Sequence, residues 1–312
     1  MKEIGSEFWD VPLQKQINGI FPEKTQWFLS GRHALRAIVQ DLQGIQSIAL
    51  PSWCCDSMVQ PFVDAGIKVQ FYPVIIKKGD AREIIRNCDA FLQMDYFGYD
   101  SEPIIMEDYK GTVIHDVTHS IFSSLDPGAD YFFGSLRKWC GVWTGGFAWG
   151  KQLKPPGTAN EEYVRLRQTA MKQKAEYINK GTGSKESFLS TFSHAEEMLD
   201  EKEILGGDPR DIDAAKHLDV ELIKYQRREN ARVLMEAFPD RLIFNTIREN
   251  DCPLFVPIRL PHDLRNALRT HLIQKSIYCP IHWPLTGYHH LTDEEIMLYD
   301  EELSLVVHKS NG

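Results

Sequence analysis

Apolar positions along residues 30–150 alternate between two periods. In RHALRAIVQDLQG (32–44), Leu35, Ile38, Val39 and Leu42 recur at helical spacing on one face, and Gly44 follows as a stop. QSIALP (46–51) is a short apolar run closed by Pro51 and reads as a buried strand. CCDSMVQPFVDAG (54–66) is helical in tendency, and IKVQFYPV (67–74) is again a strand. A charged segment, KKGDAREIIRN, leads to four more apolar runs: DAFLQMDYFG (89–98), TVIHDV (112–117), DYFFGSL (130–136) and GGFAWG (145–150). This rhythm predicts a doubly wound α/β architecture: a mostly parallel central sheet with flanking helices and ligands at the carboxyl ends of the strands.

Beyond residue 158 the pattern changes. NEEYVRLRQTAMKQKAEYINK (160–180) and RDIDAAKHLDVELIKYQRRENARVLMEAF (210–238) read as long helices, the second stopping before Pro239. The polar GTGSKESFLSTFSHAEE between them reads as a mobile loop, and its GTG as a flexible linker rather than a phosphate loop, since no strand precedes it. From about residue 240, LIFNTI, LFVPIRL, an LRNALRTHLIQ helix and IYCPIHW predict a smaller α+β unit. The division expected is a large domain over 1–238 and a small C-terminal domain over 239–312.

Composition narrows the function class. With 312 residues, of which 43% are hydrophobic and 25% charged, the chain has ample material for a core. Its net charge is −9 and its Lys and Arg form no run, so a nucleic-acid partner is not expected. No stretch of ~18 apolar residues exists to span a membrane. Cys54, Cys55, Cys88, Cys140, Cys252 and Cys279 include no CxxC pair, so neither a zinc site nor a disulfide framework is indicated. The N-terminal MKEIGSEFWD has no apolar core of a signal peptide, and the expected compartment is the cytoplasm.

Three weak chemical signals occur in a telling order. Ser30, Gly31 and Arg32 open the first helix, where free backbone amides favour an anion. Asp116 ends an apolar strand, where a carboxylate is costly unless its charge is met. Ser135 and Lys138 follow another strand and precede Gly145-Gly146; apolar flanks around Lys138 would desolvate its amine and make it nucleophilic. Taken singly, these are a helix cap, a structural acceptor and a surface lysine.

Together they resemble the layout of fold type I pyridoxal-phosphate enzymes, and the segments resemble the DegT/DnrJ/EryC1/StrS aminotransferase family. SGRHAL is similar to the family's phosphate-binding helix start, LPSWCCDSMVQPFVDAGIKVQFYPV to its following strand–helix–strand, and MDYFG to its next strand end. IHDVTHS is similar to the motif carrying its pyridine-binding Asp, SLRKWCGVWTGG to its Schiff-base lysine and Gly-Gly strand, and IYCPIHWP to a C-terminal active-site element. The likeness spans residues 25–150 well and 210–312 more loosely.

The resemblance implies pyridoxal 5'-phosphate as cofactor. Lys138 would form the internal aldimine, Asp116 would hold the pyridine nitrogen, and Gly31, Arg32 and Ser135 would bind phosphate. It further implies an amino donor, a keto or sugar-like acceptor, and a homodimer. This chain departs from the family in four ways. His119 stands where the family has Gln, and the Ser135–Lys138 spacing is shorter. The stacking aromatic aligns with Cys55, which leaves Trp53 as its neighbour and substitute, and the small domain is short.

His282 and Arg259 are substrate candidates, Arg259 for a carboxylate. His289 and His290 have no third ligand, so no metal is expected. Two other functions compete. One is a ligand-binding or regulatory protein on the same fold with little turnover. The other is a Ser-x-x-Lys serine hydrolase, disfavoured because its Ser-Asp-Asn and Lys-Thr-Gly elements are absent.

Overall fold

The computed structural model describes residues 3–74, 78–99, 109–123, 128–151, 153–200, 203–285, 287–288 and 293–308. Seven strands form one sheet: β1 (Gln26–Phe28), β2 (Ser47–Pro51), β3 (Lys68–Tyr72), β4 (Ala90–Met94), β5 (Thr112–Asp116), β6 (Tyr131–Ser135) and β7 (Gly146–Gly150). Their spatial order is β1-β7-β6-β5-β4-β2-β3. The pairs from β3 through β2, β4 and β5 to β6 are parallel, and β7 runs antiparallel between β6 and β1. The expected mostly parallel α/β sheet is therefore present, and β5 sits at its centre.

Both faces of the sheet are covered, as parallel strands require. On one face, α1 (Gly31–Asp41) buries Leu35, Ile38 and Val39, and α2 (Asp56–Asp64) buries Met58, Val59 and Phe62, against Ile48, Leu50, Leu92, Ile114 and Phe133. The charged segment after β3 forms a helix, α3 (Lys78–Arg86), because Ala81 and Ile85 supply an apolar stripe packed against Tyr72 and Phe91. Another cluster joins Phe132, Leu136, Trp139 and Phe147 to Ile223.

Two expectations beyond residue 158 need correction. After α4 (Glu161–Lys180), the supposed mobile loop is a helix, α5 (Lys185–Glu197). The Ser184 side chain accepts from the Ser187 amide to cap it, and Phe188, Phe192 and Ala195 are its buried residues. Gly181 at φ 67° closes α4, so the GTG is a short connection between two packed helices. The single helix expected over 210–238 is two, α6 (Pro209–Lys216) and α7 (Val220–Ala237). Asp219 caps α7 by accepting from the Leu222 amide, while buried Leu218 pairs with Leu13 across a bridge.

The C-terminal α+β unit has a two-stranded antiparallel sheet of β8 (Phe255–Arg259) and β9 (Glu302–Val306), with α8 (His262–Gln274) and α9 (Asp293–Glu301) between them. LIFNTI and IYCPIHW contribute isolated bridges at Leu242 and Ile277 rather than strands. Helix α7 packs against both sheets: Ile223 lies in the large-sheet cluster and Ala231 against Val256, Ile258 and Leu303. Among the described residues no helix is long and apolar enough to cross a membrane.

Candidate active site

The carboxyl ends of β5 and β6 and the start of α1 converge because glycines let them. A Cβ on Gly146 would lie 2.1 Å from the Ser30 carbonyl oxygen, so only a bare backbone lets β7 pass under the cap of α1. A Cβ on Gly31 would meet Ser135 Cβ at 3.3 Å, which measures how closely the helix start approaches the end of β6. The Leu136 amide donates to Gly145 O at 2.8 Å and fixes the turn Leu136–Lys138 beyond β6. Three segments far apart in the chain thereby frame one cavity of about 430 Å³.

Gly31, Arg32, Cys55, Asp116, His119, Ser135 and Lys138 all line this cavity. Lys138 is exposed, not desolvated as its apolar flanks predicted, because the turn carries it past the strand end. Among the described residues it makes no hydrogen bond or ion pair, so its amine is free to react.

Asp116 is buried, and its Oδ1 accepts from the Thr118 amide at 2.8 Å. Burial pushes its carboxyl up to about 6, against the pull of Thr118 and of nearby His115 and Lys138. Below it, His115 Nε2 and Ser120 Oγ meet Asp95 Oδ2 at 2.9 and 2.6 Å and hold the strand end in a polar layer.

His119 is 1% exposed, and burial, then the charge of Lys138, holds its imidazole well below the usual histidine range. The Phe97 amide donates to Nδ1 at 3.4 Å, which puts the ring hydrogen on Nε2; that Nε2 is buried without a partner among the described residues. It is a donor awaiting an acceptor.

Three candidates fall outside the cavity lining. Trp53 is 1% exposed, stacks on Tyr96 with centroids 4.9 Å apart, and donates from Nε1 to His282 O at 2.6 Å. It braces the site from behind. Arg259, on the small sheet and paired with Glu301 at 2.6 Å, does not line this cavity and is not placed to bind a carboxylate in it. His282 lies behind the wall, its ring 5.6 Å from that of His119. Cys55 does line the cavity, with Sγ 3.0 Å from Ser57 Oγ. His289 and His290 lie outside the described residues, and among those described no cluster could hold a metal.

Trp283, Arg137, Glu7 and Glu196 are among the lining residues that sequence reasoning missed. Trp283 borders the cavity and stacks on His119 at 18°, with centroids 5.8 Å apart. Its signal was its place beside His282. Arg137 sits between Ser135 and Lys138 and pairs with Glu196, while buried Arg167 joins Glu196 to Glu7 at 3.4 and 3.1 Å. Glu7 and Glu196 arrive from remote segments and left no local signal.

The chain has the fold of known aminotransferases. Aminotransferase TlmJ from Streptoalloteichus hindustanus matches with TM-score 0.63 at 15% identity, over 93% of this chain and 82% of that one. Helicobacter pylori PseC, an aminotransferase involved in the biosynthesis of pseudoaminic acid, matches with TM-score 0.61 at 13% identity, over 98% and 95%. A DegT DnrJ EryC1 StrS aminotransferase from Brucella abortus matches with TM-score 0.57 at 16% identity, over 91% and 80%. No family model matches the sequence, and no curated protein does.

Proposed function

We propose that this chain is a pyridoxal-phosphate-dependent aminotransferase of the DegT/DnrJ/EryC1/StrS type, moving an amino group from an amino donor to a small keto or sugar-like acceptor. The observation that carries the reading is the Lys138 amine in one cavity with buried Asp116 and His119, the amine and His119 Nε2 having no hydrogen-bond partner among the described residues. The fold shared with aminotransferases supports it.

The residues present fit the cofactor. Burial pushes the Asp116 carboxyl up to about 6, and among the described residues it makes no ion pair; a protonated pyridine nitrogen is a cation it would hold. His119 Nε2 offers a hydrogen bond to a polar ring substituent. The first amides of α1, with Gly31, Arg32 and Ser135, form the anion end of the cavity. Trp283 supplies the flat apolar wall that Trp53 and Cys55 do not.

Pyridoxal phosphate, when bound, supplies an aldehyde and an electron-withdrawing ring. Lys138 Nζ is the group that would hold the aldehyde end and then take and return the proton at the substrate carbon. Asp116 would face the ring nitrogen with its charge, and His119, held neutral, would donate a hydrogen bond without competing for that proton. We also propose a homodimer, with the large unit over 1–238 and the small one over 239–312.

Glutamate added to the cofactor-loaded protein should convert its absorbance to that of the amine form, and a keto acid should restore it. A protein that binds the cofactor with little turnover would leave the spectrum unchanged. Sedimentation at micromolar concentration with cofactor bound checks the dimer; a monomer alone would count against it.

A further inference from the structure

No residue of the small sheet lines the cavity, among the described residues, yet β9 reaches the site through a buried chain of hydrogen bonds. Glu302 and Ser304, both on β9, are 0% exposed. The His282 amide donates to Glu302 Oε2 at 2.7 Å, and the His282 ring meets Ser304 Oγ through Nδ1 at 2.8 Å. The Ser304 hydroxyl is also hydrogen-bonded to Glu302 Oε1. At the far end of the chain, the His282 ring lies 5.6 Å from His119 and 5.1 Å from the indole of Trp283.

A hydroxyl has one proton to give. If Glu302 is ionised, both its oxygens only accept. Ser304 must then donate to Oε1 and accept from His282 Nδ1–H, which leaves a lone pair on Nε2. If Glu302 is protonated, Oε2 is still engaged by the His282 amide, so the proton sits on Oε1 and is donated to Ser304. Ser304 then turns its own proton to Nδ1, and the ring hydrogen moves to Nε2.

We propose that Glu302 sets the tautomer of His282 through the Ser304 hydroxyl, so that Nε2 changes from hydrogen-bond donor to acceptor as Glu302 loses its proton. His282 and Glu302 are positioning residues here. The proposal rests on the aminotransferase reading only in taking the adjoining cavity as the active site.

The surroundings favour such a switch. Burial pushes the Glu302 carboxyl up to about 8, opposed by the His282 amide, the Ser304 hydroxyl and Arg265. Arg265 on α8 donates from Nη1 to the Glu302 carbonyl at 3.3 Å, and Asp300 faces that guanidinium. The Cys279 thiol also faces Glu302, with Arg269 beside it. Around His282, burial and then Lys138 hold the ring neutral, so in the working range a tautomer shift replaces a charge change.

Long-range proton–nitrogen NMR of the full chain labelled with 15N-histidine, without cofactor, reads the tautomer directly; His282→Gln assigns the signals. From pH 6 to 10, Nε2 of His282 should pass from protonated to unprotonated while Nδ1 does the reverse. Glu302→Gln, whose amide always donates, should hold the Nε2–H form at every pH, and Ser304→Ala should abolish the pH dependence. A tautomer that stays fixed in the wild-type protein, or a shift that survives in Ser304→Ala, overturns the proposal. Because the titration uses cofactor-free protein, failure here is distinct from failure to bind pyridoxal phosphate, which is read separately by borohydride trapping.

Discussion

Trp283 and His119 present nearly parallel rings, 18° apart in plane with centroids at 5.8 Å, and both border the cavity although 164 positions separate them. Trp283 is thus the aromatic wall that the local sequence around Cys55 lacks. Stacked aromatic contacts contribute roughly 0.5–1.5 kcal/mol beyond area burial. Trp283→Ala should therefore weaken pyridoxal-phosphate binding about tenfold, and Trp283→Phe should retain most of the affinity. Titration of the cofactor absorbance measures both. Trp53→Phe, at a ring buried against Tyr96, should lower stability more than affinity.

Asp116 separates a working enzyme from a cofactor binder. Asp116→Asn keeps the shape of the side chain but removes the charge proposed to face the ring nitrogen. The variant should still bind cofactor, yet its amine-transfer half-reaction should slow by at least ~10²-fold, the scale of one preorganised electrostatic contact. Stopped-flow spectra test this; a near-wild-type rate would reduce Asp116 to a structural role.

The same carboxylate makes the cofactor-free protein pH-sensitive. Its pKa rises from 3.8 unfolded to about 6 folded, so the folded state holds a proton that the unfolded state has lost. Its stabilising contribution is full below about pH 4 and is lost as pH rises through about 6, a change on the order of 3 kcal/mol. Denaturation of the wild type from pH 4 to 7 should show that loss, while Asp116→Asn should be flatter across the window. Parallel curves would show that Asp116 titrates normally.

Gly146→Ala should be severely damaging, because its Cβ would lie 2.1 Å from the Ser30 backbone oxygen and neither chain can yield cheaply. A loss of about 2–3 kcal/mol is expected, with weaker cofactor binding as the start of α1 is displaced. Gly157→Ala, whose nearest neighbour would be Ile204 O at 3.6 Å, should be close to neutral and serves as the control. Chemical denaturation of the two variants decides the point.

The central sheet was legible because β2, β5 and β6 are short apolar runs with clear stops, and α1 has an unbroken helical face. The antiparallel sense of β7 and the edge strand Gln26–Phe28 were not, since pairing partners are set by tertiary contact. Helix α5 was hidden by its Ser, Thr and Glu content; the spacing of Phe188, Phe192 and Ala195 was the signal that mattered. The break at Leu218 lay inside a continuous amphipathic pattern, visible only once Leu13 pairs there. In the cavity, local motifs pointed to eight lining residues, but flanking apolarity mispredicted the exposure of Lys138. Glu7, Glu196 and Trp283 meet there only through folding.

The most direct measurement is borohydride reduction of the pyridoxal-phosphate-loaded protein followed by peptide mapping. The account requires one stable adduct, on Lys138, and its loss together with the visible cofactor absorbance in a folded Lys138→Ala variant. A single adduct on another lysine, or an unchanged adduct yield in Lys138→Ala, would contradict it.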